Sequence, residues 1–222
     1  MRSLGVWAAA VALAVFALGM AVQALQVPGF TRALATRYVL AEEAGLPAET
    51  MVVLAERVRV FVVDGSGELP ARVDGREGFD AAAVSHLADV ARVLDGAAIA
   101  TGVLALGLTV WLGAAIAMRR VSDIASALRR AAVVTVAFLG GALVLSTLDF
   151  GSFFAAFHSL FFASGTWQFP ADALLILVFP EPFWVAAGVS WALLTGLIAG
   201  AYWALGTWLA RSGARTGSES GF

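Results

Sequence analysis

Four long apolar runs constrain the fold of this chain more than any other feature. The first extends from Leu4 to about Leu25 and is interrupted only by Gln23. The others cover 96–118, 131–148 and 183–209, and each is close to the ~20 helical residues that cross a bilayer core. Hydrophobic residues make up 60% of the 222 residues, whereas roughly half is usual in soluble domains. The sequence therefore predicts an all-α membrane protein with four transmembrane helices.

One long hydrophilic segment separates the first apolar run from the second. Residues 30–95 contain seven arginines and eleven acidic residues, but also enough apolar residues to form a core. We therefore expect an external, mostly helical cap domain, with some strand possible, and not a linker. The predicted organisation is a transmembrane helix at 1–26, the cap domain at 27–95, transmembrane helices at 96–118, 131–148 and 183–209, a loop at 119–130, an interfacial or re-entrant aromatic segment at 149–182 and a tail at 210–222.

Helix and turn signals divide the cap domain further. A helix is expected over Thr31–Ala44, ending at Gly45, and a second from Ala48 to about Val60, after Pro47. The run Phe61–Val63 is compatible with a short strand before a Gly-rich turn.

A further helical pattern begins at Asp80 and leads into the second transmembrane helix. His86 and Asp89 are three residues apart, so they share a face of this helix. A different face has an apolar stripe at helical spacing, made of Val84, Leu87, Ala91 and Leu94.

The arginine distribution predicts the orientation of the four spans. The 119–130 loop has four arginines and the tail has two, whereas 149–182 has none. Because short cytoplasmic loops are enriched in Lys and Arg, we expect both termini and the 119–130 loop in the cytoplasm. The cap domain and the aromatic segment then lie on the extracytoplasmic face. The Gly/Ser-rich tail at 210–222 is expected to be disordered.

Composition excludes several kinds of chemistry. Cysteine is absent and all 14 basic residues are arginine, so there is no disulfide, thiol nucleophile or lysine Schiff base. The two histidines have no recognisable metal-ligand spacing, and we expect no metal and no cofactor. A net charge of -2 argues against a nucleic-acid partner. The alanine- and arginine-rich composition is typical of a bacterial membrane protein.

The segment from Asp149 to Trp184 is rich in aromatic residues around one histidine, His158. If 150–162 is helical, Phe154, Phe161 and Phe162 share a face with His158. Such a segment is typical of a membrane surface, where amphipathic rings settle. The alternative is that His158 is only a packed core residue.

The remaining possibility for catalysis is acid–base chemistry by the two histidines. Histidine titrates near pH 6.5, so His86 and His158 could take a proton from a nucleophile and return one to a leaving group. Asp89 could hold the second ring nitrogen of His86, which would favour His86 as the base. Asp89 could equally be a solvated surface charge.

Two sequence blocks resemble a known family. Ser85-His86-Leu87 with Asp89-Val90 forms the first, and the second comprises Phe157 to Phe162, Trp167, Asp172 and Leu177 to Trp184. Together with the four-span layout they resemble the bacterial integral membrane family of lipoprotein intramolecular transacylases, Lit. The resemblance implies transfer of an acyl chain within a diacylglyceryl-modified lipoprotein, from the glycerol sn-2 ester to the α-amino group of the N-terminal cysteine.

The resemblance also implies site residues. His86 and His158 would be catalytic, and the expected partners are the lipoprotein substrate and membrane lipid. Asp89 is the expected orienting group because of its spacing from His86. The substrate-pocket candidates are Phe154, Phe161, Phe162, Trp167, Asp172, Glu181 and Trp184. The alternative function is a non-enzymatic membrane protein that binds lipoproteins or organises partners at the outer face.

The two histidines are 72 positions apart in the sequence, yet they are expected to meet. His86 precedes the second span and His158 follows the third, and a short connection makes these spans antiparallel neighbours. His86 lies about ten residues before the span, which is ~15 Å of straight helix. We therefore expect a helix break at Asp95-Gly96, in preference to the aromatic segment reaching His86.

Overall fold

A computed structural model describes the backbone of residues 2–219 and the side chains of residues 3–212. Most of the chain in this range is helical. The helices are α1 Arg2–Leu25, α2 Pro28–Tyr38, α3 Ala41–Ala44, α4 Ala48–Val63, α5 Ala81–Ala117, α6 Val121–Leu148, α7 Phe150–Ser159, α8 Leu174–Val178 and α9 Glu181–Glu219, and a two-stranded antiparallel sheet consists of β1 Arg72–Val73 and β2 Arg76–Glu77.

Four of the described helices are long and apolar enough to cross a membrane. They comprise Ser3–Leu25, Ala81–Ala117, Val121–Leu148 and Glu181–Ser212. The prediction of an all-α membrane protein with four spans is confirmed.

One expected interruption of these helices does not occur, and another is shorter than expected. Helix α5 is continuous through Gly96, because one glycine costs about 1 kcal/mol, too little to break a long helix. The 119–130 loop is also shorter than expected: α6 begins at Val121, and the chain reverses at Met118–Arg120, where Arg119 has φ 56°. Residues 121–130 contain no glycine or proline, and their alanine, leucine and arginine residues are good helix formers.

The tail differs from expectation for a similar reason. Helix α9 continues to Glu219, so residues 210–219 are helical, although their composition predicts disorder. Extending a helix that has already formed costs little per residue. Residues 220–222 lie outside the described part of the chain.

The chain divides into two compact units, and the first contains the described residues of Met1–Val22, Ala98–Thr147 and Trp191–Phe222. Small residues allow close helix packing in this unit: a Cβ on Gly19 would lie 2.2 Å from Thr101 Oγ1, and one on Gly206 would lie 2.9 Å from the carbonyl oxygen of Ala125. Trp191 Nε1 donates a hydrogen bond to the carbonyl of Leu18 at 3.1 Å.

The second unit contains Gln23–Ala97 and Leu148–Ser190. Its core includes Met51 and Leu54 of α4, Phe79 before α5, and Val178 of α8. Met51 and Val178 are completely buried. Residues of the 27–95 segment and of the 149–182 segment therefore share one hydrophobic core.

Local structure in this unit departs from the sequence prediction at two places. The helix expected over Thr31–Ala44 is interrupted after Tyr38, where the Leu40 N–H donates to the carbonyl of Leu177 at 2.9 Å. The expected end at Gly45 is confirmed, with φ 63°. Phe61–Val63 is the last turn of α4 and not a strand, because local strand preference yields to burial against the core.

The small sheet is a hairpin around Asp74-Gly75. Both residues have positive φ, 47° and 85°, which is the requirement of the two-residue hairpin turn that favours Asp-Gly. The hairpin continues through hydrogen bonds from Gly78 N to the Ala71 carbonyl and from Phe79 N to the Pro70 carbonyl, each 2.9 Å. Only glycine fits at position 78, because a Cβ there would lie 2.1 Å from the Pro70 carbonyl oxygen.

Candidate active site

The two histidines of the chain lie together in the second unit. His86 is in the second turn of α5 and His158 is near the end of α7. Their ring centroids are 6.2 Å apart with an interplanar angle of 30°, and both side chains are buried, with exposures of 8% and 9%. The expected break at Gly96 is not needed, because α7 and the residues after it bring His158 to the start of α5.

A backbone hydrogen bond fixes the tautomer of His158. Its Nδ1 lies 2.9 Å from the carbonyl oxygen of Phe154. Because a carbonyl oxygen can only accept, Nδ1 carries the proton, and Nε2 of the neutral ring has a free lone pair. Desolvation by burial lowers the pKa of His158 below its ordinary value, against a smaller opposing effect of the bond to Phe154. The neutral ring is therefore favoured near pH 7.

Aromatic rings enclose both imidazoles. Phe154 and Trp167 lie on His158, with centroid distances of 4.0 Å and 4.7 Å. Phe162 contacts both histidines, at 4.9 Å from His86 and 5.6 Å from His158. Such an apolar enclosure strengthens hydrogen bonds and charge interactions within it.

Phe169 is a site residue that the sequence analysis missed. Its ring lies 5.6 Å from the ring of His86, yet it belongs to no motif. The only signal in the sequence is its position inside the aromatic segment.

Asp89 bonds Arg92 and not His86. Its carboxylate forms an ion pair with Arg92, one turn further along α5, because i, i+3 pairing of opposite charges is available at the exposed helix surface. The Nδ1 atom of His86 is buried and has no hydrogen-bond partner among the described residues. The expected hydrogen bond between Asp89 and His86 is thus absent.

The other expected pocket residues are distributed unevenly. Trp184 joins the cluster through Phe154, at 6.3 Å, and donates from Nε1 to the Phe179 carbonyl at 3.0 Å. The ring of Phe161 contacts the rings of Phe157 and Phe162 but neither imidazole. The reason is that α7 ends at Ser159, so the predicted helix face does not extend to position 161.

The two acidic candidates lie at the surface. Asp172 and Glu181 are both exposed, and Asp172 takes part through its main chain, whose carbonyl accepts a hydrogen bond from Arg76. Among the residues that the structure describes, no group of three or more His, Cys, Asp or Glu side chains could hold a metal ion. The chemistry within the enclosure is that of two imidazoles.

These features define an integral membrane protein with a buried, aromatic-lined histidine pair suited to proton transfer. The sequence matches the family described as lipoprotein intramolecular transacylase Lit over residues 7–184, which is most of the chain. The chain belongs to the lipoprotein intramolecular transacylase Lit family and is a membrane-integral acyltransferase of lipoproteins.

Solved structures agree on the fold. A structure of the membrane-integral Lit from Bacillus cereus has a TM-score of 0.77 at 16% sequence identity, covering 97% of this chain and 98% of that chain. Structures of two Bacillus cereus Lit variants, with one histidine replaced by arginine or by alanine, have TM-scores of 0.72 and 0.70 at 14% and 13% identity. They cover 97% of this chain and 95% and 96% of their own. None of the curated proteins matches this chain.

Proposed function

We propose that this chain moves an acyl chain from the glycerol sn-2 ester of a diacylated lipoprotein to the α-amino group of its N-terminal cysteine, with His158 as the base and His86 as the acid. The observation that carries the proposal is the buried pair of imidazoles, 6.2 Å apart, inside an aromatic enclosure. Family membership supports the reaction class.

His158 suits the role of base. An α-amino group has a pKa near 8 and attacks a carbonyl carbon only as the neutral amine. A ring that donates from Nδ1 to the Phe154 carbonyl has Nε2 as its proton acceptor. Spacing alone favours His86 as the base because of Asp89, but Asp89 is paired with Arg92.

His86 suits the role of acid. A buried N–H without an acceptor is rarer and costlier than a buried lone pair without a donor. Since Nδ1 of His86 is buried without a partner among the described residues, we assign the lone pair to Nδ1 and the proton to Nε2. Nε2 then donates to the departing oxygen.

The proposed reaction balances without a cofactor. The amine nitrogen attacks the sn-2 carbonyl carbon and forms a C–N bond, while His158 accepts the proton that the nitrogen loses. The C–O bond of the ester then breaks, and the glycerol oxygen takes a proton from His86. His158 returns its proton to His86 directly or through the substrate, so none is consumed. Both reacting groups belong to one molecule, which supplies the advantage of proximity.

The same proposal includes a membrane orientation. Arginine bias, with four arginines in 119–130 and none in 149–182, supports cytoplasmic termini and a site on the extracytoplasmic face of the cytoplasmic membrane. Reporter fusions at Ser66 and Gly165 are expected to report the outside, and a fusion at Ser126 the inside. A cytoplasmic signal at Gly165 would contradict the orientation.

Mass spectrometry of lipoprotein N-termini tests the function. Cells that express the chain are expected to convert diacylglyceryl lipoproteins into a lyso form with an N-acyl cysteine and a free sn-2 hydroxyl, at unchanged total mass. Fragmentation then distinguishes the two isomers. If the N-termini are the same with and without the chain, while lipoproteins still bind to it, the alternative of a lipoprotein-binding protein is supported instead.

A further inference from the structure

The rings that enclose the histidines depend on a loop without regular structure. Residues 160–173, here the ring loop, connect α7 to α8. The ring loop supplies Phe162, Trp167 and Phe169, which contact His86 or His158. The amides of Phe161 and Phe162 donate to the His158 carbonyl, but no regular hydrogen-bond pattern continues beyond them. The position of the ring loop therefore depends on contacts at its ends and on its side chains.

Arg76 is bonded to the far end of this loop. Its Nη2 donates to the main-chain carbonyl of Asp172, and its Nη1 donates to the carbonyls of Ala44, at 2.9 Å, and Glu43, at 3.5 Å. Within the described part of the chain, Arg76 donates the only side-chain hydrogen bond that reaches the ring loop from outside it. One guanidinium therefore joins the hairpin, the end of α3 and the ring loop.

The hairpin supports Arg76 and limits its movement. Arg76 is opposite Val73 in the ladder, next to the Asp74-Gly75 turn. Phe79, which follows the hairpin, is 2% exposed and belongs to the core of the unit. Because the hairpin is anchored in this way, the guanidinium of Arg76 holds the carbonyls that it bonds at fixed positions.

We propose that Arg76 is a positioning residue for acyl transfer: by holding Asp172, it keeps the ring loop closed on the histidine pair. The inference rests on the proposed function. Arg76 touches neither imidazole, so it acts through the loop and not on the reacting atoms.

The contact requires arginine in particular. The planar guanidinium presents several N–H groups in a fixed fork, so it can bond carbonyls of two segments at once. A lysine ammonium has the same charge, but it is a point donor on a flexible stem and does not hold both segments in one geometry.

The experiment compares Arg76→Ala and Arg76→Lys with the control Arg72→Ala. Arg72 is on the paired strand, and among the described residues its side chain bonds only the Gly75 carbonyl within the hairpin, at 2.7 Å. A displacement of about 1 Å in an active site can cost 10²-fold in rate. We therefore expect a roughly 10- to 100-fold lower turnover for both Arg76 variants at normal protein level, and no more than about a twofold change for Arg72→Ala.

A second readout does not depend on activity. Because the chain has no cysteine, Thr166→Cys introduces one spin-label site, at an exposed position of the ring loop. We expect the label to become more mobile in both Arg76 variants and to stay unchanged in Arg72→Ala. If Arg76→Ala does not accumulate, Arg76→Lys alone decides the result, since it keeps the charge and the hairpin.

The outcomes are separable. A mobile label with low turnover supports the positioning role. An unchanged label, or a mobile label with full turnover, overturns it. If the unaltered chain transfers no acyl group, the proposed function is wrong, and the role of Arg76 in transfer is wrong with it. If the unaltered chain is active and its Arg76 variants are equally active, only the role of Arg76 is wrong.

Discussion

His158→Asn is expected to lower acyl transfer by about 10²- to 10⁴-fold, the usual contribution of a positioned acid or base, with normal protein level and membrane insertion. The asparagine amide N–H can donate to the Phe154 carbonyl in place of Nδ1, 2.9 Å away in the native chain. It has nothing in place of the Nε2 lone pair. The substitution therefore removes the base and retains the hydrogen bond.

The measurement is the fraction of lyso-form lipoprotein produced per amount of enzyme. Ser159→Ala is the matched control, because it alters the neighbouring position of α7 and removes only an exposed hydroxyl that donates to the Ala156 carbonyl. Full activity of His158→Asn would show that His158 is only a packed residue, as the alternative interpretation of the sequence holds.

Titration of His158 in the substrate-free chain tests the same assignment, because the rate profile also contains the α-amino group of the substrate, with a pKa near 8. Burial lowers the pKa of His158 below 6.5, so the neutral, basic ring is lost only as the pH falls through that lowered value. An NMR titration of the imidazole is expected to have its midpoint below pH 6.5, and the titratable ring that faces it is His86, 6.2 Å away. A midpoint above pH 6.5 would contradict a desolvated base.

His86→Ala is expected to have an effect as large as His158→Asn, but His86→Gln a smaller one. Glutamine places an amide N–H close to the position of the imidazole Nε2, so it retains a hydrogen-bond donor toward the departing oxygen. We expect at least tenfold more activity for Gln than for Ala, measured in the same assay and normalised to protein level.

The same substitution at the other histidine, His158→Gln, is the control for this prediction. The amide of His158→Gln is not basic enough to take up a proton at either its oxygen or its nitrogen, so this variant should be as inactive as His158→Asn. Equal activity of His86→Gln and His86→Ala would mean that His86 acts through its lone pair or its charge, and the assignment of acid and base would then be wrong.

The membrane helices could be predicted from the sequence because their signal is composition over ~20 residues. Their ends could not: α5 continues through Gly96, α6 includes 121–130 and α9 extends to Glu219. Glycine, arginine and serine are poor markers of helix ends here, because a long helix tolerates each of them at a cost of about 1 kcal/mol or less.

The pairing of His86 with His158 could be predicted because the connection between α5 and α6 is short. The environment of each ring could not. Asp89 lies within reach of both His86 and Arg92 by spacing alone, and the sequence does not tell which partner it bonds. Phe169 reaches His86 only through the path of an irregular loop, which no periodicity encodes.

The group that orients His158 is a main-chain carbonyl, that of Phe154 in the preceding turn of its own helix. No codon change removes a backbone oxygen, so a survey of point substitutions would pass over this part of the site entirely. This carbonyl is also not titratable, and it places no buried charge beside the substrate. A chemist could reach it by exchanging the amide between Phe154 and Ala155 for an ester, which weakens the carbonyl as an acceptor and changes no side chain.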